Sequence, residues 1–192
     1  MELVPLKNGK WLTVRPPVPD DAEGLLALSR RVGGETDYLM TDSRGFLCSI
    51  EQEREYIAAV LADPKRLQML GIIDGEPIGF FSVEPMGRGR TAHNASFGIA
   101  IVRSCWHLGI GAIFMAIATD FAKTAGYHKI CLDVRADNER AVRLYKRFGF
   151  AQCGLRREQL FINGEYYDEI LMDLHIEADE AKLREIRKAC PR

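Results

Sequence analysis

Between Ile99 and Ala125 a short apolar strand runs into Gly109-Ile110-Gly111 and straight on into a helix, a junction that few folds contain. Glycines there let backbone N–H groups approach an anion, and the first helical turn adds unpaired donors and the positive end of its dipole. The turn is therefore expected to hold a pyrophosphate without a lysine. A dinucleotide fingerprint would need a third glycine where Phe114 stands, and it normally follows the first strand of its domain, whereas this turn comes after the chain's midpoint. A triphosphate-binding loop would need Lys-Ser or Lys-Thr after its last glycine, and here Ala112-Ile113 follows.

A second motif lies beyond the helix. After an expected strand from Lys129 to Val134 comes Asn138, then a short helical stretch with Tyr145 seven residues on, closed by Gly149-Phe150. Together with Trp106-His107-Leu108-Gly109-Ile110-Gly111 this resembles the GNAT superfamily of N-acetyltransferases. That family's turn reads Gln or Arg, two residues, Gly, any residue, then Gly or Ala, and its asparagine, tyrosine and Gly-Phe recur in this order after the fifth strand. Trp106 stands where Gln or Arg is commoner, as in the branch with a Trp-Gly-Lys-Gly-Ile-Gly wording. The order of elements fits from about Leu12 to Leu174, and the resemblance extends to the branch of ribosomal-protein alanine and small-amine acetyltransferases. It implies an α/β (α+β) fold with a mixed central sheet of six to seven strands flanked by helices. The domain would span 11–174, with a helical tail over 175–192.

The rest of the chain supplies matching elements. Trp11 to Arg15 alternates like a strand and ends at Pro16, Pro17 and Pro19. Asp20 with Glu23 reads as a capping pair before a helix carrying Leu25, Leu26 and Leu28, and Ser49 with Gln52 repeats the device before a second helix. The intervening Glu35 to Leu47 has no clear period. Leu67 to Ile73 and Ile78 to Val83 form a hairpin about Asp74-Gly75, and Asn94 to Val102 feeds the glycine turn. Ile110, Ile113, Phe114, Ile117 and Phe121 fall on one helix face. Leu155 to Phe161 and Glu165 to Leu174 close the chain as a hairpin over Asn163-Gly164.

A chain of 192 residues suits one domain, and its formal charge of -1 offers no general attraction to nucleic acid or anionic membrane. No basic stripe with interleaved aromatics appears, no apolar run approaches the ~20 residues of a membrane span, and the first residues do not read as a secretory signal. Cys48, Cys105, Cys131, Cys153 and Cys190 are odd in number and show no metal-ligand spacing, which fits a reducing, cytoplasmic setting. Cys105 reads as a small hydrophobe.

Moving an acetyl group from a thioester to an amine needs a bound thioester, a neutral amine, a donor for the developing oxyanion and a proton for the departing thiolate. The resemblance implies acetyl-CoA as cosubstrate, with no metal. Its pantetheine arm would lie against the backbone at Ile99 and Ile101, and its pyrophosphate on the amides of His107, Leu108, Gly109, Ile110, Gly111 and Ala112. Asn138 would bond the arm as well as cap a helix, and Tyr145 would be the general acid as well as part of the core. Asp133 matches the position of a proposed base in the ribosomal-protein alanine acetyltransferases, with Glu84 and His93 as rivals. An acceptor of low pKa would need no dedicated base. The acceptor stays open among a small amine or amino acid, an antibiotic-like amine and a protein N-terminus, and so does a homodimer. Its pocket would come from Glu35 to Leu47 and the last hairpin, whose Glu165, Asp168 and Glu169 could attract a cationic amine but would ordinarily be solvated. The alternative is a CoA-binding regulatory or interaction module without turnover, against which Tyr145 and Asn138 argue together.

Overall fold

A computed structural model describes residues 2–176 and contains one mixed sheet of eight strands. The strands are β1 (Glu2–Pro5), β2 (Trp11–Arg15), β3 (Leu67–Ile73), β4 (Glu76–Pro85), β5 (Asn94–Ile101), β6 (Lys129–Arg135), β7 (Ala151–Ile162) and β8 (Glu165–His175). Their spatial order is β1-β2-β3-β4-β5-β6-β8-β7, and all neighbours are antiparallel except β5 and β6. The helices are α1 (Ala22–Glu35), α2 (Ile50–Ala62), α3 (Ile110–Thr124) and α4 (Glu139–Arg147).

Two details differ from the sequence reading. The eighth strand, β1, lies ahead of residue 11 and is held by pairing Glu2–Pro5 with Trp11–Val14. Four residues ending in proline carry too little alternation to announce a strand. The cap expected of Asp20 with Glu23 does not form. Asp21 occupies the N-cap of α1 and makes no side-chain cap, because its carboxylate accepts from Arg15 Nη1 and Nη2 at 2.6 and 2.8 Å and from the Val18 amide at 2.7 Å. The second cap forms as read, Ser49 Oγ accepting from the Gln52 amide at 3.2 Å while Gln52 Oε1 takes the Ser49 amide at 2.8 Å. The helical tail expected over 175–192 lies outside the described residues beyond Ile176, while His175 still belongs to β8 and Ile176 is buried.

Side chains of a strand alternate between faces, and cross-strand partners share one. Phe81 on β4 meets Phe114 of α3 at 4.9 Å between ring centroids, and its neighbour Phe80 meets Phe46 of the α1–α2 connection at 5.5 Å. The register Phe81↔Ile99 and Phe80↔Ala100 carries this parity onto β5, so Ile99 and Ile101 face α3, whereas Gly98 and Ala100 face α1 and α2. On β6, Arg135 lies over the Tyr38 ring at 4.5 Å, which puts Asp133, Arg135 and the cross-strand partner Glu169 on the α1–α2 face. The two faces meet where the sheet opens. Only Asn94–Ser96 of β5 has register partners on β6, Lys129–Cys131, and beyond them the strands part.

Candidate active site

Gly109 is the N-cap of α3 with φ +89°, and His107 ahead of it has φ +65°. The Trp106 amide donates to Arg103 O at 3.2 Å, and the amides of Ala112 and Ile113 donate to Gly109 O at 3.0 and 3.2 Å. Among the described residues the N–H groups from His107 to Gly111 have no protein acceptor, so they form a run of free donors at a helix N-terminus. Ala112, expected to belong to this cradle, already closes the first helical turn. The two glycines serve different ends. A Cβ on Gly109 would meet nothing within 4 Å, so the left-handed backbone is what demands glycine, whereas a Cβ on Gly111 would lie 3.0 Å from Leu144 Cδ2.

The strand feeding the turn presents an open edge. Asn94 O accepts from the Met86 amide and the Val102 amide donates to Ile78 O, both at 2.9 Å, so even-numbered residues of β5 turn their peptide groups toward β4. With a period of two, the peptide groups of Ile99 and Ile101 point to the side that β6 has left. Trp106 Nε1 donates to Ile101 O at 2.8 Å, leaving the Ile101 amide free. The same indole supports the Arg140 guanidinium 3.7 Å above its ring.

The gap between β5 and β6 is a cleft of about 780 Å³. Ile99, Ile101, His107, Gly109, Ile110, Gly111, Ala112, Asn138, Asp133 and Tyr145 all line it. Leu108 alone of the expected residues does not, its side chain packing against the core. Asn138 Oδ1 accepts from the Ala141 amide at 3.2 Å, so the residue caps α4, and its side-chain nitrogen has no protein partner among the described residues. Tyr145 is 6% exposed, its ring between Phe97 and Phe150 at centroid distances of 6.4 and 5.9 Å. Burial pushes its pKa up to about 12 against a smaller opposing pull from Arg140. The phenol is therefore neutral at physiological pH, and no described protein group bonds its hydroxyl.

The α1–α2 side of the cleft carries its carboxylates. Arg156 Nη1 reaches both Asp133 Oδ2 and Glu169 Oε2 at 2.8 Å. The Asp133 side chain is 40% exposed and that of Glu169 only 4%, contrary to the expectation that the hairpin acids are all solvated. Glu165 fits that expectation better, being exposed beside the Tyr167 hydroxyl at 2.9 Å, while Asp168 Oδ1 takes the Glu158 amide at 2.9 Å. Arg135, 8% exposed, lies between the rings of Tyr38 and Tyr167 at 4.5 and 4.1 Å, holds both oxygens of Asp137 and donates to Asp37 O at 3.1 Å. It thus fastens the α1–α2 connection to the cleft wall. Sequence reasoning missed Arg135 and Arg140, and set Glu169 among hairpin acids that are ordinarily solvated. The alternation of Tyr167, Glu169 and Leu171 along β8 was the available signal for Glu169.

The rival bases stand elsewhere. Glu84 accepts from Tyr56 Oη at 2.8 Å and Arg66 Nε at 2.6 Å, and His93 lies 5.9 Å from the His128 ring; neither lines the cleft. Cys105 does line it, packed against the core.

Residues 35–150 match the family model described as "Acetyltransferase (GNAT) family". The chain is 31% identical to the L-amino acid N-acetyltransferase AaaT of Escherichia coli (strain K12) over 114 residues, 58% of this chain and 70% of that protein. It is 37% identical to the spermidine N(1)-acetyltransferase of Vibrio cholerae serotype O1 over 76 residues, 39% of this chain and only 44% of that protein. Among solved structures, an acetyltransferase of the GNAT family from Streptococcus pneumoniae superimposes with a TM-score of 0.83 at 28% identity, over 86% of this chain and 99% of that one.

Proposed function

Because the chain belongs to the acetyltransferase (GNAT) family, we propose that this enzyme passes the acetyl group of acetyl-CoA directly to a primary amine within a ternary complex. The observation that carries the reading is the conjunction, in one cleft, of the free amides from His107 to Gly111, the unpaired edge of β5 and the Tyr145 phenol. The amides and the dipole of α3 would hold the pyrophosphate. The pantetheine arm would lie along Ile99 and Ile101 as an added strand, with the Asn138 side-chain nitrogen as a further donor. The Ile101 amide would polarise the thioester carbonyl as the amine attacks.

Tyr145, neutral in its apolar surroundings, would give its proton to the thiolate as the C–S bond breaks. The amine would come from the α1–α2 face; for an acceptor that needs a base, Asp133 is the candidate from sequence and lines the cleft from that face. A small amine or amino acid is the acceptor class best supported, since the similar proteins are named for an L-amino acid and for spermidine. Among the described residues no helix is long and apolar enough to cross a membrane.

An acceptor panel of amino acids, polyamines and an N-terminal peptide, followed by CoA release, tests this. Acetyl-CoA-dependent turnover on at least one amine is expected. Tight acetyl-CoA binding by calorimetry with no release on any amine would favour the module without turnover.

A further inference from the structure

Two carboxylates stand on the acceptor side of the cleft, and they are not equivalent. Asp133 is 40% exposed, while the Glu169 side chain, at 4%, is withdrawn into the wall it lines. Arg156 Nη1 occupies Glu169 Oε2, and among the described residues Oε1 has no protein donor. A buried carboxylate with an open oxygen on a cleft wall is an incomplete site for a cationic donor, since burial strengthens its attraction to an arriving charge and leaves its own hydrogen bonding short. Arg156 Nη1 fills the position between Asp133 and Glu169, 2.8 Å from each, so an arriving cationic N–H group meets the other Glu169 oxygen.

Resting on the acetyl-transfer reading, we infer that Glu169 is a catalytic residue: the carboxylate at which the acceptor ammonium docks and to which it yields its proton. The charged groups around it are Arg156 from β7 and Asp133 and Arg135 from β6, and Arg135 is committed to both oxygens of Asp137. Glu169 takes one proton from the ammonium and passes it to solvent through the cleft. The freed lone pair attacks the thioester carbon, the C–N bond forms and the C–S bond breaks. The thiolate receives the Tyr145 proton, and the proton still to leave the nitrogen restores the phenol. Ammonium and thioester thus become amide, thiol and one released proton.

Glu169→Gln keeps the shape of the side chain and removes its basicity. At neutral pH its kcat/KM for the amine should fall by roughly 10² to 10⁴, the usual range for a lost proton acceptor, with acetyl-CoA affinity unchanged by calorimetry. The deficit should shrink as pH approaches the acceptor's own pKa, where neutral amine forms unaided. Glu169→Asp should recover part of the rate, and Asp133→Asn should lose less than Glu169→Gln does. Calorimetry with acetyl-CoA reports whether each variant is folded. A Glu169→Gln enzyme with wild-type kcat/KM, or with a deficit equal at every pH, would overturn the assignment, the second outcome leaving only a structural ion pair. A deficit in Asp133→Asn matching that of Glu169→Gln in size and pH dependence would give the proton to Asp133. If the unaltered enzyme releases no CoA with any amine, the transfer reading itself fails and the role of Glu169 falls with it.

Discussion

Trp106 Nε1 donates to the carbonyl of Ile101 at 2.8 Å, tying the last residue of β5 to the residue that opens the glycine turn. The bond withdraws one acceptor from the exposed edge of β5 and holds in place the ring on which Arg140 stacks. Trp106→Phe keeps a ring and deletes the bond. Stability should fall by about 1 kcal/mol, the usual net worth of one such hydrogen bond. An unchanged denaturant midpoint and slope would show that the bond adds nothing.

Gly109 and Gly111 should respond differently to substitution. At Gly109, φ +89° makes alanine cost about 1–2 kcal/mol although space is open, and asparagine should cost less because it visits that region more readily. Gly111→Val would press on Leu144 and cover the turn, so acetyl-CoA affinity should fall more than stability. Calorimetric titration beside thermal melts separates the two, and unchanged affinity in a folded Gly111→Val would place the pyrophosphate elsewhere.

Tyr145→Phe keeps the ring between Phe97 and Phe150 and removes only the hydroxyl. If that hydroxyl protonates the thiolate, turnover should drop by roughly 10² to 10⁴ with acetyl-CoA affinity and melting temperature little changed. Pre-steady-state measurement must first establish that chemistry, and not product release, limits the rate. Full activity under that condition would sink the proton-donor role.

Alkaline stability should carry the mark of Tyr56, Tyr127 and Tyr145, each pushed up to about 12 chiefly by burial. Their folded pKa lies above the unfolded value of about 10, so the stability they add is complete below pH ~10 and is lost as pH rises through ~12. Denaturation midpoints measured from pH 8 to 12 should decline across the upper half of that range. Tyr127→Phe should soften the decline, and an identical profile in that variant would remove Tyr127 from the explanation.

Arg135 joins the α1–α2 connection to the cleft wall through Tyr38, Tyr167, Asp37 and Asp137. Arg135→Lys retains charge but loses the planar fork and the stacking. It should raise KM for the acceptor several-fold more than KM for acetyl-CoA. Equal changes in both would mean that Arg135 supports the whole cleft and not its acceptor half.

The glycine turn and the stretch from Asn138 to Tyr145 were legible because each is local: the donors, the cap and the cleft-lining tyrosine lie within one turn or one helix. The α1–α2 wall of the cleft was not. Arg135 meets Glu169 through strand register, and Tyr38 through a loop nearly a hundred positions away, relationships that spacing along the chain does not encode. The N-terminus of α1 shows the same effect at short range. Asp21 looked unremarkable beside Asp20 until Arg15 recruited its carboxylate.

The parting of β5 from β6 divides the sheet into two hydrogen-bonded ladders, β1 to β5 and β6-β8-β7, linked by the short parallel register of Asn94–Ser96 with Lys129–Cys131. Amides bordering that seam, such as Ile99 and Ile101, lack the neighbours that slow hydrogen exchange in the ladders on either side. An occupant hydrogen-bonded along the seam would become a missing rung, slowing exchange on both banks at once. In this fold the cosubstrate would complete the secondary structure as well as take part in the reaction.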